Sequence, residues 1–231
     1  MPLVNQTWLC KKPGGKKSLG RYVAMKVVAP KGDKKGRFEF VESTTENSFG
    51  FDPTGFSKAG NATCPFCGTV ADSDYVKAYG IDQGYGRQGM ATVCVRPKRT
   101  GKVYVEHAEA LHDKQSIEER LASIEKTNQI SRLNEPLEAN PRSFDVQRYG
   151  FNFWDRVYTD RQMLIHLSIA GKLRAAWKIN SKVTSDSDRA CALFPSVALS
   201  FSSLVSVHNA FAFIQSGREA LAGHLGGGKF P

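Results

Sequence analysis

At 231 residues, 41% of them hydrophobic, the chain is long enough for one packed domain, or a domain with a smaller module, and too apolar to be wholly disordered. Lysine and arginine number 32 against 22 acids, a formal net charge of +10 that favours a polyanionic partner, nucleic acid above all. No apolar run has signal-peptide character or the ~18 residues of a membrane span, so a cytoplasmic protein without a membrane partner is expected.

The first predicted elements are short strands. Arg21 to Ala29 alternates loosely, with Tyr22, Ala24, Lys26 and Val28 on one face. Arg37 to Glu42 alternates better, with Phe38 and Phe40 opposed to Glu39 and Val41. Around them run Lys11, Lys12, Lys16, Lys17, Arg21, Lys26, Lys31, Lys34, Lys35 and Arg37, against the single acid Asp33. Interspersed glycines put many of these charges on two hairpin tips, which serve either as solvated turns or as a phosphate-contacting surface. Asp52 to Phe56 reads as a turn. Gln88 to Arg96 and Lys102 to Glu106 read as a hairpin, and nothing in residues 1–105 shows sustained helical period.

Residues 107–126 change character. Leu111, Ile117, Leu121 and Ile124 recur near helical spacing, and Ser116 with Glu119 has the spacing of a capping box that would open a helix there. Asn134 to Arg142, with Pro136 and Pro141, reads as a linker. Thr159 with Gln162 is a second capping box, followed by an apolar face of Met163, Leu164, Leu167, Ala170, Leu173 and Trp177. His166 beside that face reads as structural. From about residue 190 the chain is rich in Ser, Ala and Phe and poor in charge, as a variant helix or a shifted reading frame would be. The fold class expected is α+β: a strand-rich, zinc-ribbon-like module over 1–105, a helix and linker over 106–143, and a helical segment over 144–231 whose tail from about 190 is atypical.

Cys64-Pro-Phe-Cys67-Gly68 is the sharpest chemical signal. Two cysteines separated by two residues can turn both sulfurs to one Zn²⁺, and the following glycine permits the tight bend of a zinc knuckle. Five cysteines with one such pair fit a reducing compartment better than a disulfide framework. Structural zinc takes four ligands, and a second Cys-x-x-Cys is absent. Three readings stay open: half of a ribbon, a site completed by Cys10, Cys94 or a histidine such as His107 or His112, or a metal-free thiol pair. Gly80 to Gly86 has neither the preceding apolar strand nor the following Lys-Ser/Thr of a nucleotide loop, and no serine lies in a nucleophile-elbow context.

Five segments taken in order carry a resemblance. They are Pro2-Leu-Val-Asn-Gln-Thr-Trp-Leu9 with Lys11-Lys12, Gly60-Asn-Ala-Thr-Cys64-Pro-Phe-Cys67-Gly68, Gly89-Met-Ala-Thr-Val93, Phe144-Asp-Val-Gln-Arg-Tyr-Gly150, and Trp154-Asp-Arg-Val-Tyr-Thr-Asp-Arg-Gln-Met-Leu164. Over about residues 2–180 the chain resembles an internal part of the large adenine-specific DNA methylases that carry an inserted zinc ribbon, prokaryotic proteins often associated with phage defence. The resemblance implies Zn²⁺ at Cys64 and Cys67, with the ribbon's other cysteine pair upstream of the matching region. It implies S-adenosylmethionine as the cofactor, bound by a Gly-rich loop, and methyl transfer at an Asp/Asn-Pro-Pro-aromatic tetrapeptide. This sequence contains neither motif, since Asp52-Pro53 and Asn140-Pro141 lack the second proline and the aromatic.

The function expected is therefore that of a fragment of a DNA adenine methyltransferase, without catalytic or cofactor-binding residues of its own and inactive alone. Lys11, Lys12, Lys16, Lys17, Lys34, Lys35 and Arg37 are its candidate phosphate contacts on DNA, and the rest of a methylase, as a separate chain, is its candidate partner. The alternative is a stand-alone zinc-knuckle module that binds nucleic acid without catalysis.

Overall fold

The computed structural model describes residues 6–32, 36–55, 58, 60–83, 92–95, 102–105, 114–138, 146–183, 187–208, 213–217 and 220–222. The protein mixes strands and helices, with a three-stranded antiparallel sheet near the N-terminus and the long helices later. It forms two compact units, one from Met1–Leu111 with Ile214–Leu221, the other from His112–Phe213 with Ala222–Phe230. Among the described residues no helix is long and apolar enough to cross a membrane.

The first unit is organised by strands β1 (Trp8–Lys12), β2 (Arg21–Val28) and β3 (Arg37–Ser43), with β2 in the centre. The β1–β2 register pairs Trp8 with Ala24 but Cys10 with Val23, so Leu9 is the extra residue of a bulge. The bulge divides the apolar residues of β1 between two faces. Trp8 joins Tyr22, Ala24 and Phe49 on one side, while Leu9 and Cys10 join Val23 on the other. The first cluster is aromatic, with Phe49 edge-on to both Trp8 and Phe51 at 5.1 and 5.8 Å. The second is covered by Met25, Phe40 and Tyr104.

Tyr104 lies on β7 (Lys102–Val105), which pairs antiparallel with β6 (Thr92–Val95), as the alternation of that region predicts. Two very short strands, β4 (Ala62–Thr63) and β5 (Val70–Ala71), frame the Cys64–Cys67 turn. The turn expected at Asp52 is present: Thr54 donates its backbone N–H to Asp52 Oδ1 at 2.8 Å and Gly55 donates to the Asp52 carbonyl.

Helix α1 (Ser73–Gln83) contradicts the expectation of an all-strand first half. Asp72 caps it: its carboxylate accepts from the Tyr75 amide at 2.7 Å, and its carbonyl accepts from Val76. The helix has no apolar stripe to betray it, and Tyr75, Tyr79 and Ile81 are all exposed. The Asp-Ser-Asp run at 72–74 was the readable signal. Gly80 belongs to this helix, and residues 84–86 of the supposed loop lie outside the described residues.

In the second unit, α2 (Lys114–Asn128) and α3 (Asp160–Val183) enclose a core of Leu121, Leu137, Val146, Val157, Tyr158, Met163 and Leu167. Ile117 and Ile124 flank Leu121 at helical spacing, as expected, while Leu111 lies outside the described residues. The capping box expected at Ser116 is not formed. α2 begins before it, and Glu119 instead accepts from Gln115, 3.1 Å away and one turn earlier.

Beyond α2, Arg132 turns back along the helix to pair with Glu118 at 2.6 Å and Glu125 at 3.3 Å. These bonds hold the Glu118 carboxyl below, and the guanidinium above, their ordinary ranges. The start of the Pro-containing stretch is ordered: Leu137 is buried, donates to the Asn152 carbonyl and follows a Pro136–Phe153 bridge. Two 3₁₀ turns, Val146–Tyr149 and Trp154–Val157, lead into α3.

The Thr159–Gln162 capping box forms reciprocally. The Thr159 amide donates to Gln162 Oε1 at 2.9 Å, and the Gln162 amide donates to Thr159 Oγ1 at 3.3 Å. Helix α4 (Ser187–Val207) follows, with Pro195 inside it. It packs through a narrow face, Phe194 on Trp177 and Val205 on the core, while Leu193, Val197 and Leu199 remain exposed. Strands β8 (Phe213–Gln215) and β9 (Ala220–Ala222) pair with each other after α4. The turn after β8 meets the first sheet, where the Lys11 amide donates to the Ser216 carbonyl at 3.0 Å.

Leu121→Ala, which empties the fully buried centre of the second core, is expected to cost about 3 kcal/mol. Thr159→Ala, which removes one cap, is expected to cost about 1 kcal/mol. Chemical denaturation of the two variants measures both.

Candidate nucleic-acid interface

The basic stretch folds into two hairpin tips, as its glycines suggest. At the β1–β2 tip, Gly15 and Ser18 exchange backbone hydrogen bonds at 3.0 and 3.3 Å, and Lys16 and Lys17 are exposed between them. The tip is tight because the chain crowds itself. A methyl on Gly14 would stand 2.8 Å from the Gly20 nitrogen, and one on Gly20 would stand 2.6 Å from the Thr44 carbonyl oxygen. At the β2–β3 tip, Lys31 and Arg37 are exposed, and Arg37 pairs with Glu39 at 3.0 Å. Lys34 and Lys35 lie outside the described residues.

The two tips stand at opposite ends of β2, whose eight residues cover ~24 Å. Along a duplex that separation corresponds to ~7 base pairs of phosphates.

Lys12 is exposed at the end of β1. Lys11 is differently placed. Its ammonium is paired with Glu46 and lies 4.9 Å from the centre of the Trp8 ring, so its charge is engaged within the protein by both. These groups border a cavity of about 330 Å³ whose other walls include Asn47, Phe51 and Asp52. Bonds from the Thr54 hydroxyl and amide hold the Asp52 carboxyl below its ordinary range. Its walls thus carry the Lys11–Glu46 ion pair and the Asp52 carboxylate.

Cys64 and Cys67 sit in one turn. The Cys64 amide donates to the Thr69 carbonyl at 2.9 Å, and the Gly68 amide donates back to the Cys64 carbonyl at 2.9 Å. Gly68 has φ +73°, a left-handed value that a glycine adopts without penalty. The Cys67 sulfur lies 3.2 Å from the Thr69 hydroxyl. That hydroxyl, with the Thr69 amide and the Cys64 thiol, lowers the Cys67 pKa and favours the thiolate that a metal needs.

The fit to zinc covers two of four positions. Among the described residues no group of three or more His, Cys, Asp or Glu side chains converges. Cys10 is fully buried, its thiol 3.4 Å from the Arg21 carbonyl within the sheet. The side chain of Cys94, and His107 and His112 entirely, lie outside the described residues.

Sequence reasoning did not bring the knuckle and the second basic tip together. Phe66, in the knuckle turn, comes near Gly36, beside Arg37: a methyl on Gly36 would lie 3.9 Å from its ring. No local signal announces this proximity, because the two residues lie far apart in the chain. No family model, curated protein or solved structure matches this chain.

Cys67 is expected to alkylate faster than Cys64 at pH 7. Thr69→Val should slow the Cys67 reaction at that pH and leave it unchanged above pH 10, where the thiolate is complete, as mass-spectrometric labelling rates will show.

Proposed function

We propose that this chain is the DNA-contacting, zinc-ribbon region of an adenine-specific DNA methyltransferase, inactive without the segments that carry the S-adenosylmethionine loop and the catalytic tetrapeptide. The observation that supports the DNA reading is the nearness of Phe66, in the Cys64–Cys67 turn, to Gly36 beside the exposed Arg37 at the base of the basic β2–β3 hairpin. The methyltransferase assignment rests on the five ordered sequence segments. In this reading Lys16 and Lys17 hold one set of phosphates, and Lys31, Lys34, Lys35 and Arg37 hold another. Lys12 adds to the first set. Lys11 acts indirectly, its ion pair with Glu46 fastening the segment after β3 to β1.

Cys64 and Cys67 hold two positions of a zinc ion whose other ligands come from outside the described residues. Zinc supplies folding energy to the turn. Catalysis belongs to the remainder of the methylase.

The test is binding of the chain to unmethylated duplex DNA across a salt series. Lys16→Ala/Lys17→Ala and Lys31→Ala/Arg37→Ala should each weaken binding and flatten the log–log salt slope by up to about 0.9 per lost phosphate contact. Unchanged slopes in both would end the DNA reading. Labelled methyl groups should reach DNA only when the missing methylase segments are supplied as a second chain, and binding without any such complementation favours the stand-alone module. A chelator should lower the melting temperature of the wild type and leave Cys64→Ser unmoved; a chelator-insensitive wild type removes the zinc.

A further inference from the structure

The second unit contains a pair of facing imidazoles. His166 Nε2, on α3, lies 3.1 Å from His208 Nδ1, on the residue that follows α4. His166 is 6% exposed and is walled by the edge-on ring of Tyr158 at 4.9 Å and by Phe201 of α4 at 6.3 Å. Tyr158, from the segment before α3, keeps its phenol protonated because burial raises its pKa. The charge on His208 acts on that of His166.

Two imidazoles at this distance have one satisfactory arrangement: an N–H on one ring and a lone pair on the other. One added proton preserves that arrangement. It settles on His208, at the α4 C-terminus, where the helix dipole favours a cation. A second proton puts N–H groups on both facing nitrogens, in an apolar cage without a counter-charge. The contact then breaks.

The rest of α4 is held by little else, since Phe194 on Trp177 and Val205 on the core are its other described apolar attachments. We propose that the His166–His208 pair is an acid-released latch that holds α4 on α3 while the two rings share a single bridging proton and frees it when both rings are protonated. Burial lowers both pKa values, that of His166 to about 4 with the charge on His208 contributing. A depressed folded-state pKa means that the released form binds protons more readily. The docking contribution is thus complete above the ordinary imidazole pKa of ~6.5 and is lost as pH falls toward 4.

The test uses the full chain labelled with 5-fluorotryptophan and followed by ¹⁹F NMR from pH 7.5 to 4. Of the three tryptophans, Trp177 touches α4, Trp154 packs on the core of the same unit and Trp8 lies in the other unit, so the three resonances separate local release from unfolding. The Trp177 resonance should move or exchange-broaden between pH 6.5 and 4 while those of Trp154 and Trp8 stay fixed. His208→Asn keeps a hydrogen-bonding group near the Nδ1 position without the charge and should abolish the transition. His166→Gln does the same from the other side, should one variant fail to fold. A flat Trp177 resonance, an unaltered transition in the folded variant, or movement of Trp154 or Trp8 together with Trp177 overturns the latch.

Discussion

One inserted residue in β1 organises the first unit. Without the bulge at Leu9, strict alternation would place Leu9 alone on one face and Trp8 with Cys10 on the other. With it, Trp8 faces the aromatic cluster while Leu9 and Cys10 both face Val23. A three-stranded sheet of this size has little apolar surface to spare, and covering both of its faces gives β2 a buried environment on each side. That rigidity fixes the hairpins at the two ends of β2, and with them the separation of the cationic tips.

Charge in this protein is allocated by contact. Lys11 and Arg37 carry the same formal charge and both belong to the basic stretch, yet their surroundings differ. Lys11 is held by both Glu46 and the Trp8 ring, while Arg37, exposed at the base of a hairpin, is paired along its own strand with Glu39. A net charge of +10 counts them equally. A partner meeting the surface does not, because an ammonium already paired with a carboxylate and an aromatic face must give up those contacts before it binds a phosphate.

The second unit shows how differently two helices of similar length are held. α3 has a reciprocal cap at Thr159 and an apolar face that enters the core at Met163 and Leu167. α4 contains Pro195, exposes most of its leucines and valines, and attaches through a few aromatic and imidazole contacts. Its docking therefore depends on those few contacts. Helix α1 has almost no apolar face, which is why periodicity passed over it even though its cap at Asp72 was present in the chain.

The amino-acid sequence by itself determined the features whose physics is local. The Thr159–Gln162 box, the Ile117–Leu121–Ile124 face, the alternation of β3 and the Cys64–Gly68 turn each arise from residues within a few positions of one another. It misplaced the start of α2 because the Ser116–Glu119 spacing is equally compatible with a helix interior, where Glu119 had a nearer partner in Gln115. Tertiary structure alone decided that Lys11 is engaged internally, that Phe66 comes near Gly36, and that His166 meets His208 across 42 positions. Those pairings depend on packing accumulated over a whole unit, and no spacing between neighbours encodes it.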